Sequence, residues 1–247
     1  MFSVISDRDA FGYPNKYRSA GEARLSFFGN DSFTKLLLHM DEDFVDDSAY
    51  GRTPSLRGDP TFDTTIKKFG SASGEFDGND AISYPDSTDF NIGTGSFTIE
   101  CQIYFTSLVG RQALISKMYA NADIGYSLSI DATNGLDFVG YNGAYNAGNG
   151  VIKLTQGDIV GLAVETWHHV MLVRNGTVFN IYLNGVSVDS GSTASSINYA
   201  AGYPQYVAYA HVAQDGGYFT GKIDEARISI GVARQTGNFE PPTRAYG

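Results

Sequence analysis

Hydrophobic and polar residues alternate most regularly between residues 165 and 189 (ETWHHVMLVRNGTVFNIYLNGVSVD). Strict alternation is typical of β-strands, whose successive side chains point to opposite faces. Two Asn-Gly pairs, Asn175-Gly176 and Asn184-Gly185, interrupt the alternation. Because Asn-Gly is the strongest short-range signal for a tight hairpin turn, the segment predicts three consecutive antiparallel strands. Such meanders are the units from which β-sandwiches are built.

Similar short segments recur along most of the chain, separated by turns rich in Gly, Asn and Ser. Residues 36–40 (LLLHM) form a continuous apolar run, as expected for a strand covered on both faces. Residues 52–66 are predicted to form a polar loop. No segment has the period of an amphipathic helix, and we find no internal repeat. The other predicted strands are 71–80, 81–84, 96–105, 112–118, 126–131, 135–141, 151–154 and 219–230. The pattern predicts an all-β, antiparallel two-sheet β-sandwich.

The pattern divides the chain into three parts. Residues 1–33 have no sustained period, so we interpret them as an N-terminal extension, or arm, outside the sandwich. The aromatic residues of this arm favour docking onto a neighbour. Residues 34–232 are predicted to form the sandwich. Residues 233–247 contain two consecutive prolines and are predicted to form an extended C-terminal strap.

Composition supports one large domain and argues against nucleic-acid and anionic-membrane partners. The chain has 247 residues, of which 42% are hydrophobic, enough for one sizeable core. Its net charge of −10 argues against nucleic-acid and anionic-membrane partners, which are bound by clustered Lys and Arg. The single cysteine, Cys101, allows no internal disulfide and is predicted to be a small buried residue. We see no signal peptide and no membrane-spanning run, so we expect synthesis in a reducing cytoplasm.

Three motifs resemble the laminin-G-like branch of the concanavalin A-like jelly rolls. The first is W-H-H-V, R-N-G and Y-L-N-G within residues 167–185, and the second is FDG followed by SFTIE within residues 76–100. The third is the closing segment GKIDEARI at residues 221–228. The resemblance implies a jelly-roll fold and structural roles for a few motif residues. These are Trp167, His169, Asn184, Gly185 and Asp224. It does not decide function, because this fold hosts lectins, hydrolases and structural modules.

Glycoside hydrolysis is the enzymatic activity that the resemblance raises. It needs two carboxylates flanking the scissile bond, and related β-glucan hydrolases carry them as E-x-D-x-(x)-E on one strand. The chain lacks this motif, since the strand at 97–102 contains only Glu100. Asp224 and Glu225 are adjacent, which in a regular strand directs them to opposite faces. We therefore predict that the protein is not an enzyme.

Five carboxylates between residues 41 and 47 make a metal site worth considering. Calcium takes about six to eight oxygen ligands. Many members of the resembled family hold one calcium ion between the first-strand loop and the closing strand. The resemblance therefore implies one structural calcium ion held by Asp41, Asp46, Asp47 and Asp224. The alternative is that the loop acids are solvated and that Asp224 accepts only backbone hydrogen bonds.

Aromatic side chains combined with Asn and Gly in rim loops provide the groups of a sugar site. The loop tip that ends at residue 150 supplies one candidate set: Tyr141, Asn142, Tyr145, Asn146 and Asn149. A second tyrosine-rich segment follows the meander and contains Tyr199, Tyr203, Tyr206 and Tyr209. Tyrosine is equally suited to protein interfaces, so both interpretations stay open.

The chain ends with RISIGVAR at residues 227–234 and NFEPPT at residues 238–243. This ending resembles laminin-G-like domains in structural proteins of tailed bacteriophages, which assemble in a reducing cytoplasm. We therefore predict a non-enzymatic protein of the virion surface, either a capsid decoration or a tail or fibre accessory. Residues 1–33, and with them the strap, would anchor it to other virion proteins or to sister subunits. The alternative function is a carbohydrate-binding module that attaches to host surface glycans; a glycoside hydrolase is the third hypothesis.

Overall fold

The computed structural model describes residues 29–107, 110–119, 124–131, 135–143, 151–156, 162–211 and 217–247. It confirms the all-β prediction. The strands are β1 (Thr34–Leu38), β2 (Ser55–Arg57), β3 (Thr61–Asp63), β4 (Ser73–Asp77), β5 (Ala81–Tyr84), β6 (Phe97–Phe105), β7 (Gln112–Tyr119), β8 (Ile124–Ile130), β9 (Leu136–Asn142), β10 (Ile152–Gln156), β11 (His168–Asn175), β12 (Val178–Leu183), β13 (Val186–Ser192), β14 (Gln205–Val207) and β15 (Thr220–Ile230). One 3-10 turn, Thr88–Phe90, lies between β5 and β6. No helix in these ranges is long and apolar enough to cross a membrane.

Two antiparallel sheets pack face to face. The eight-stranded sheet, here called the large sheet, has the order β13-β12-β11-β6-β15-β4-β3, and β1 pairs with β15 beside this path. The seven-stranded sheet, here called the small sheet, has the order β10-β9-β8-β7-β14-β5-β2. Several neighbours are far apart in sequence, such as β6 and β15. These features confirm the predicted jelly-roll sandwich.

Alternation along each strand separates the core from the outer faces. On β6, Ile99, Cys101 and Ile103 are fully buried in the core between the sheets. On β8 of the small sheet, Leu128 and Ile130 fill the same core. Burying each large apolar side chain contributes about 1.5–3 kcal/mol, so this single core is the main source of stability.

The meander forms with both predicted hairpins, but the residues of the first turn are Gly176-Thr177 rather than Asn175-Gly176. Asn175 pairs with Val178 at the end of the β11–β12 hairpin, and Leu183 pairs with Val186 at the end of the β12–β13 hairpin. The second turn places Asn184 at a φ of 50° and Gly185 at a φ of 80°. These left-handed values match the right-handed twist of the flanking strands, which is why Asn-Gly specifies the turn.

Two parts of the sandwich differ from the sequence prediction. Residues 52–66 were expected to form a loop, but they contain β2 and β3, which are the edge strands of the two sheets. An edge strand has one partner and an exposed side, so its side chains need not alternate between apolar and polar. The tyrosine-rich segment after the meander contributes β14, which lies between β7 and β5.

The strap at residues 233–247 lies on the outer face of the large sheet without regular secondary structure. Phe239 packs on a patch formed by Met171, Val173 and Tyr182. At the last residue, the amide of Asn30 donates to the carbonyl oxygen of Gly247 at 3.3 Å. The start of the described chain and the strap therefore meet on this face, and residues 29–33 belong structurally to the sandwich.

Gly185 connects the meander turn to the strap, and its replacement tests that connection. A Cβ on Gly185 would overlap the carbonyl oxygen of Phe239, whereas a Cβ on Gly176 would meet nothing within 4 Å. Both glycines have positive φ, at 80° and 61°. We expect Gly176→Ala to destabilise by about 1 kcal/mol from backbone strain alone. Gly185→Ala should cost about 2 kcal/mol more, because the strap must shift.

Chemical denaturation of the two glycine variants beside the wild type measures both costs. Equal losses of stability in the two variants would mean that the strap does not hold the turn.

Candidate functional site

A buried ion pair lies at the centre of the outer face of the large sheet. Glu100 on β6 is the cross-strand partner of Arg227 on β15. The Arg227 Nε donates to Glu100 Oε1 at 2.9 Å, and Nη2 donates to the same oxygen at 2.5 Å. Both side chains are 0% exposed. A charge pair buried this deeply is tolerated only when further hydrogen bonds satisfy the remaining atoms.

The strap supplies part of that satisfaction through Tyr246. Its hydroxyl donates to Glu100 Oε2 at 2.8 Å, and its ring lies 4.0 Å from the Arg227 guanidinium carbon. His169 Nε2 lies 3.2 Å from the same Glu100 oxygen. Burial alone would raise the pKa of Glu100, but Arg227 and His169 outweigh it and lower this pKa to about 2. The carboxylate is therefore charged and fixed.

This arrangement closes the outer face of the large sheet with the chain's own residues. The Arg227 Nη1 also donates to the carbonyl oxygen of Gly29 at 3.0 Å. Arg234 of the strap binds Asp31 through Nη2 at 2.8 Å. The described contacts of the strap are therefore made within the sandwich, and its role in anchoring the protein to a partner stays a prediction.

Two of the four predicted calcium ligands have other partners. Asp46 accepts hydrogen bonds from the amides of Leu37 and Ser48 and from Arg52, at 3.1, 2.9 and 2.9 Å. Asp47 accepts from the amide of His39 at 3.3 Å. Both carboxylates organise the turn after β1, and of the two Asp46 is buried while Asp47 is exposed.

The other two predicted ligands, Asp41 and Asp224, flank the loop at residues 66–72. Asp224 Oδ2 accepts from the amides of Lys68 and Phe69 at 2.8 and 3.0 Å, while its Oδ1 is buried with no partner. Burial, assisted by the nearby acids Glu225 and Asp41, raises the pKa of Asp224 to about 7. An unpartnered oxygen of this kind suits a cation. The described ranges nevertheless contain no cluster of three or more acidic, His or Cys residues around it.

The expectation that Asp224 and Glu225 point to opposite faces is wrong. The register shifts between Asp224 and Arg227, and Glu225 has a φ of 52°, so a β-bulge breaks the alternation. Glu225 turns outwards to His39 Nδ1 at 2.7 Å and accepts from the amide of Tyr246 at 2.9 Å. The second acid of the motif therefore also holds the strap.

The motif residues named from the resemblance take positions around the meander. The amide of His169 donates to Asn184 Oδ1 at 2.9 Å, and the amide of Asn184 donates back to the carbonyl of His169 at 2.8 Å. Trp167 lies half-buried with its ring 5.6 Å from that of Tyr104. Gly185 passes directly beneath the strap.

The first candidate sugar set is only partly described. Tyr141 is 9% exposed and packs in a small cluster with Val139 and Ala210, so its ring is not an open platform. Asn142 is half-buried beside it. Tyr145, Asn146 and Asn149 lie outside the described residues.

The second tyrosine-rich segment forms an aromatic cluster on the outer face of the small sheet. The rings of Tyr206 and Tyr209 meet edge to face at 5.1 Å, and Tyr209 lies 4.7 Å from Tyr218. The guanidinium of Arg57 on edge strand β2 lies over the rings of Tyr209 and Tyr218, at 5.4 and 5.1 Å. We call these four residues the tyrosine–arginine cluster.

Backbone hydrogen bonds of Ala208, the residue that follows β14, fix the cluster. Ala208 has a φ of 64°, and its amide donates to the carbonyl of Leu114 at 2.9 Å. Its own carbonyl accepts from the amide of Phe219 at 2.9 Å, which holds the two ends of the connection together. Ser116 Oγ donates to the carbonyl of Tyr209 at 2.7 Å. Tyr209 and Tyr218 are therefore placed side by side above the sheet.

The cluster presents hydrogen-bond donors to solvent. The side chains of Tyr206 and Tyr218 are half-buried, and neither hydroxyl bonds to another described residue. Burial raises the pKa of both, so both hydroxyls are protonated at neutral pH. Tyr199 is different, since its hydroxyl donates to Asp86, which also pairs with Lys117. The sequence did not identify Arg57, which is distant in the chain, or Tyr218, which lies beyond the end of the tyrosine-rich segment.

The sequence and the fold were compared with known proteins. A family model of the laminin-G type, described as the concanavalin A-like lectin/glucanases superfamily, matches residues 76–235. The chain therefore belongs to this superfamily, which confirms the resemblance. It is a lectin-like sandwich domain that resembles toxin binding domains and carbohydrate-binding domains. No curated protein matches the sequence.

Three solved structures illustrate the similarity. The binding domain of Paraclostridial Mosquitocidal Protein 1 aligns with a TM-score of 0.62 and 14% identity, over 81% of this chain and 50% of that one. Domain 4 of AbnA, a GH43 extracellular arabinanase from Geobacillus stearothermophilus solved with arabinotriose, aligns at 0.58 and 15%, over 81% and 93%. The binding domain of botulinum neurotoxin serotype G aligns at 0.59 and 16%, over 81% and 48%. The chain thus spans about half of each toxin chain, and at these identities the likeness shows the fold.

Stability in acid tests the Glu100 network. A carboxyl whose pKa is lowered on folding stabilises the protein above its unfolded pKa and loses this contribution as the pH falls through the folded pKa. The contribution of Glu100 should therefore decline from about pH 4.5 towards pH 2. Glu100→Gln should cost about 3 kcal/mol or more at pH 7, because it leaves Arg227 buried without a counter-charge. The difference from the wild type should shrink as the pH falls.

The control is Asp89→Asn, which removes a partly exposed partner of Arg52 and should cost less than about 1 kcal/mol. Urea unfolding from pH 7 to pH 2.5 gives these values. A wild-type-to-Glu100→Gln difference that does not change with pH would contradict the account.

Proposed function

We propose that the protein is a non-enzymatic carbohydrate-binding module that a larger particle displays on its surface. The observation that carries this proposal is the position of the tyrosine–arginine cluster. It lies on the outer face of the small sheet, while the strap closes the outer face of the large sheet. The core separates the two faces, so one makes internal contacts and the other offers the partly exposed rings of Tyr206 and Tyr218, whose hydroxyls bond to no other described residue.

The groups in the cluster suit a sugar. Partly exposed tyrosine rings can stack on the apolar C–H face of a pyranose, and their hydroxyls can bond the sugar hydroxyls. Ser83 is the cross-strand partner of Tyr206, and its hydroxyl donates to the carbonyl of Ser55 at 3.1 Å, so it can serve a sugar only as an acceptor. A few polar groups converging beside an apolar platform are typical of small-molecule sites. The AbnA domain, which shares this fold, was solved with arabinotriose, and this supports the choice of ligand class.

Binding without hydrolysis agrees with the chemistry of the described acids. The acid on the β6 motif strand, Glu100, is held by an arginine and a tyrosine of the chain itself. Glu225 is held by His39 and the Tyr246 amide. Neither acid is presented to a sugar bound on the small sheet. The tyrosine–arginine cluster itself contains no carboxylate.

The particle that we propose is a tailed-phage virion, in its head or tail. This rests on the resemblance of residues 227–243 to virion laminin-G-like domains. Residues 1–28 would make the attachment to other virion proteins or to sister subunits. Gly29, where the described chain starts, contacts Arg227 on the large sheet, away from the cluster. An arm that leaves from this side would present the small sheet to the host surface.

We also propose one structural calcium ion at Asp224. The unpartnered, buried Oδ1 of Asp224 is the supporting observation. Asp41 lies on the other side of the 66–72 loop and could complete the site together with backbone carbonyls and water. A bound cation would keep Asp224 ionised at neutral pH.

Glycan binding by tyrosine variants tests the function. Tyr218→Ala and Tyr206→Ala should each weaken binding to the best ligand on a glycan array roughly two- to twelvefold, since an aromatic contact contributes about 0.5–1.5 kcal/mol. Tyr50→Ala is the matched control, because this exposed tyrosine also contacts cations, Lys35 and Arg52, but lies outside the cluster. Melting temperatures should change little in all three. Unchanged affinity in both cluster variants would remove the site.

Light scattering of the full chain and of residues 29–247 tests the attachment through the arm. Melting temperatures with and without a calcium chelator test the ion. If the arm joins sister subunits, the full chain should be an oligomer and the shortened chain a monomer. If calcium binds, chelation should lower the melting temperature of the wild type but not of Asp224→Asn. An oligomer that persists without the arm would contradict the attachment, and equal melting temperatures would contradict the ion.

A further inference from the structure

Arg57 differs from the other arginines in how its charge is used. Its side chain is exposed, and its guanidinium is held over the rings of Tyr209 and Tyr218. Among the described residues it forms no ion pair. The neighbouring acid Asp80 is not an ion-pair partner of Arg57. Its two carboxylate oxygens accept hydrogen bonds from the amides of Asp59 and Asp77, at 2.8 and 2.9 Å.

The other described arginines use their charge within the chain or lie away from aromatic rings. Four of them pair with carboxylates: Arg52, Arg111, Arg227 and Arg234. Arg174 donates to backbone carbonyls of three loops. Arg244 is exposed but touches no aromatic ring. Arg57 is therefore the described arginine that is at once in contact with aromatic rings, exposed and without a counter-charge among the described residues, in a chain of net charge −10.

Contact with aromatic rings restrains the guanidinium plane and leaves its N–H edge free. A guanidinium fork matches the two oxygens of a carboxylate or a sulfate in a bidentate way, and such charge-assisted bonds are about twice as strong as neutral ones. The protonated hydroxyls of Tyr206 and Tyr218 add donors on the same side of the sheet. The cluster thus offers a cation and two further donors but no acceptor carboxylate.

We propose that the saccharide bound by this cluster carries an oxyanion, either a carboxylate or a sulfate ester, and that Arg57 binds it. The inference rests on the proposed function and specifies its ligand class. The tyrosine rings would contact the sugar ring, while the guanidinium edge would bind the anionic substituent. Arg57 would thereby select acidic glycans over neutral glycans of the same backbone.

The test uses the full chain on an array of matched glycan pairs. Each acidic glycan is printed beside the same glycan with its carboxylate methyl-esterified or with its sulfate removed. We expect binding mainly to acidic members, at least tenfold weaker binding to the masked partners, and weaker binding at higher salt. If the methyl-esterified glycans lose binding, the oxyanion is a carboxylate; if the desulfated glycans lose it, the oxyanion is a sulfate.

Variants then assign the effect to Arg57. Arg57→Ala should weaken binding to the acidic glycan roughly tenfold or more, while Arg57→Lys should recover part of the loss, because it keeps the charge without the fork. Arg244→Ala is the matched control, since it removes one exposed positive charge from the strap, and it should bind as the wild type does.

Equal binding to acidic and neutral members, with no effect of Arg57→Ala, would overturn the inference but leave the proposed function intact. Equal losses in Arg57→Ala and Arg244→Ala would also overturn it, because they would indicate only a general effect of charge. Binding to acidic proteins but to no glycan would overturn both the inference and the proposed function.

Discussion

The structure depends on one buried ion pair, between Glu100 and Arg227. Two charges without solvent are costly, and the pair is tolerated because the chain brings every further partner to it: Tyr246 from the strap, His169 from the meander and the Gly29 carbonyl from the start of the described chain. Removing any of them leaves a buried polar group unsatisfied. The pair therefore holds the strap and residues 29–31 on the same face of the large sheet. The strap then passes so close to the β12–β13 turn that only a glycine fits at position 185.

This constraint assigns different roles to the two outer faces. The strap engages Glu100, Glu225 and Thr98 of the large sheet in internal contacts. On the small sheet the chain instead leaves tyrosine hydroxyls and one guanidinium without described partners, at the point where β2, β14 and the start of β15 approach each other. A module with one closed face and one open face can be attached on one side and bind on the other, and this is the physical basis of the proposed display function.

Local signals in the sequence predicted most of the sandwich, because they specify local structure. Gly176 in the first meander turn and Asn184-Gly185 in the second adopt positive φ by their backbone preferences. The alternation in β6 fixes which residues enter the core. The edge strands β2 and β3 gave no alternating pattern, since one of their sides is exposed. The bulge at Glu225 could not be foreseen, because it depends on His39 and Tyr246, which are distant in the chain. The tyrosine–arginine cluster was half predicted, since Tyr206 and Tyr209 lie in a tyrosine-rich segment. Arg57 joins them through the pairing of β2 with β5, and Tyr218 through the backbone hydrogen bond between Phe219 and Ala208.

The most direct test of the closed face is native-state hydrogen exchange of three strap amides. These are the amides of Arg234, Phe239 and Tyr246, which donate to Thr98 Oγ1, the Gly185 carbonyl and Glu225 Oε2. If the strap is part of the cooperative fold, these amides should exchange with the same opening free energy as the central amides of β6 and β11. If they exchange several kcal/mol more easily, roughly as a frayed terminus does, the strap detaches on its own. The large sheet would then be an accessible surface, and the division between a closed and a binding face would be contradicted.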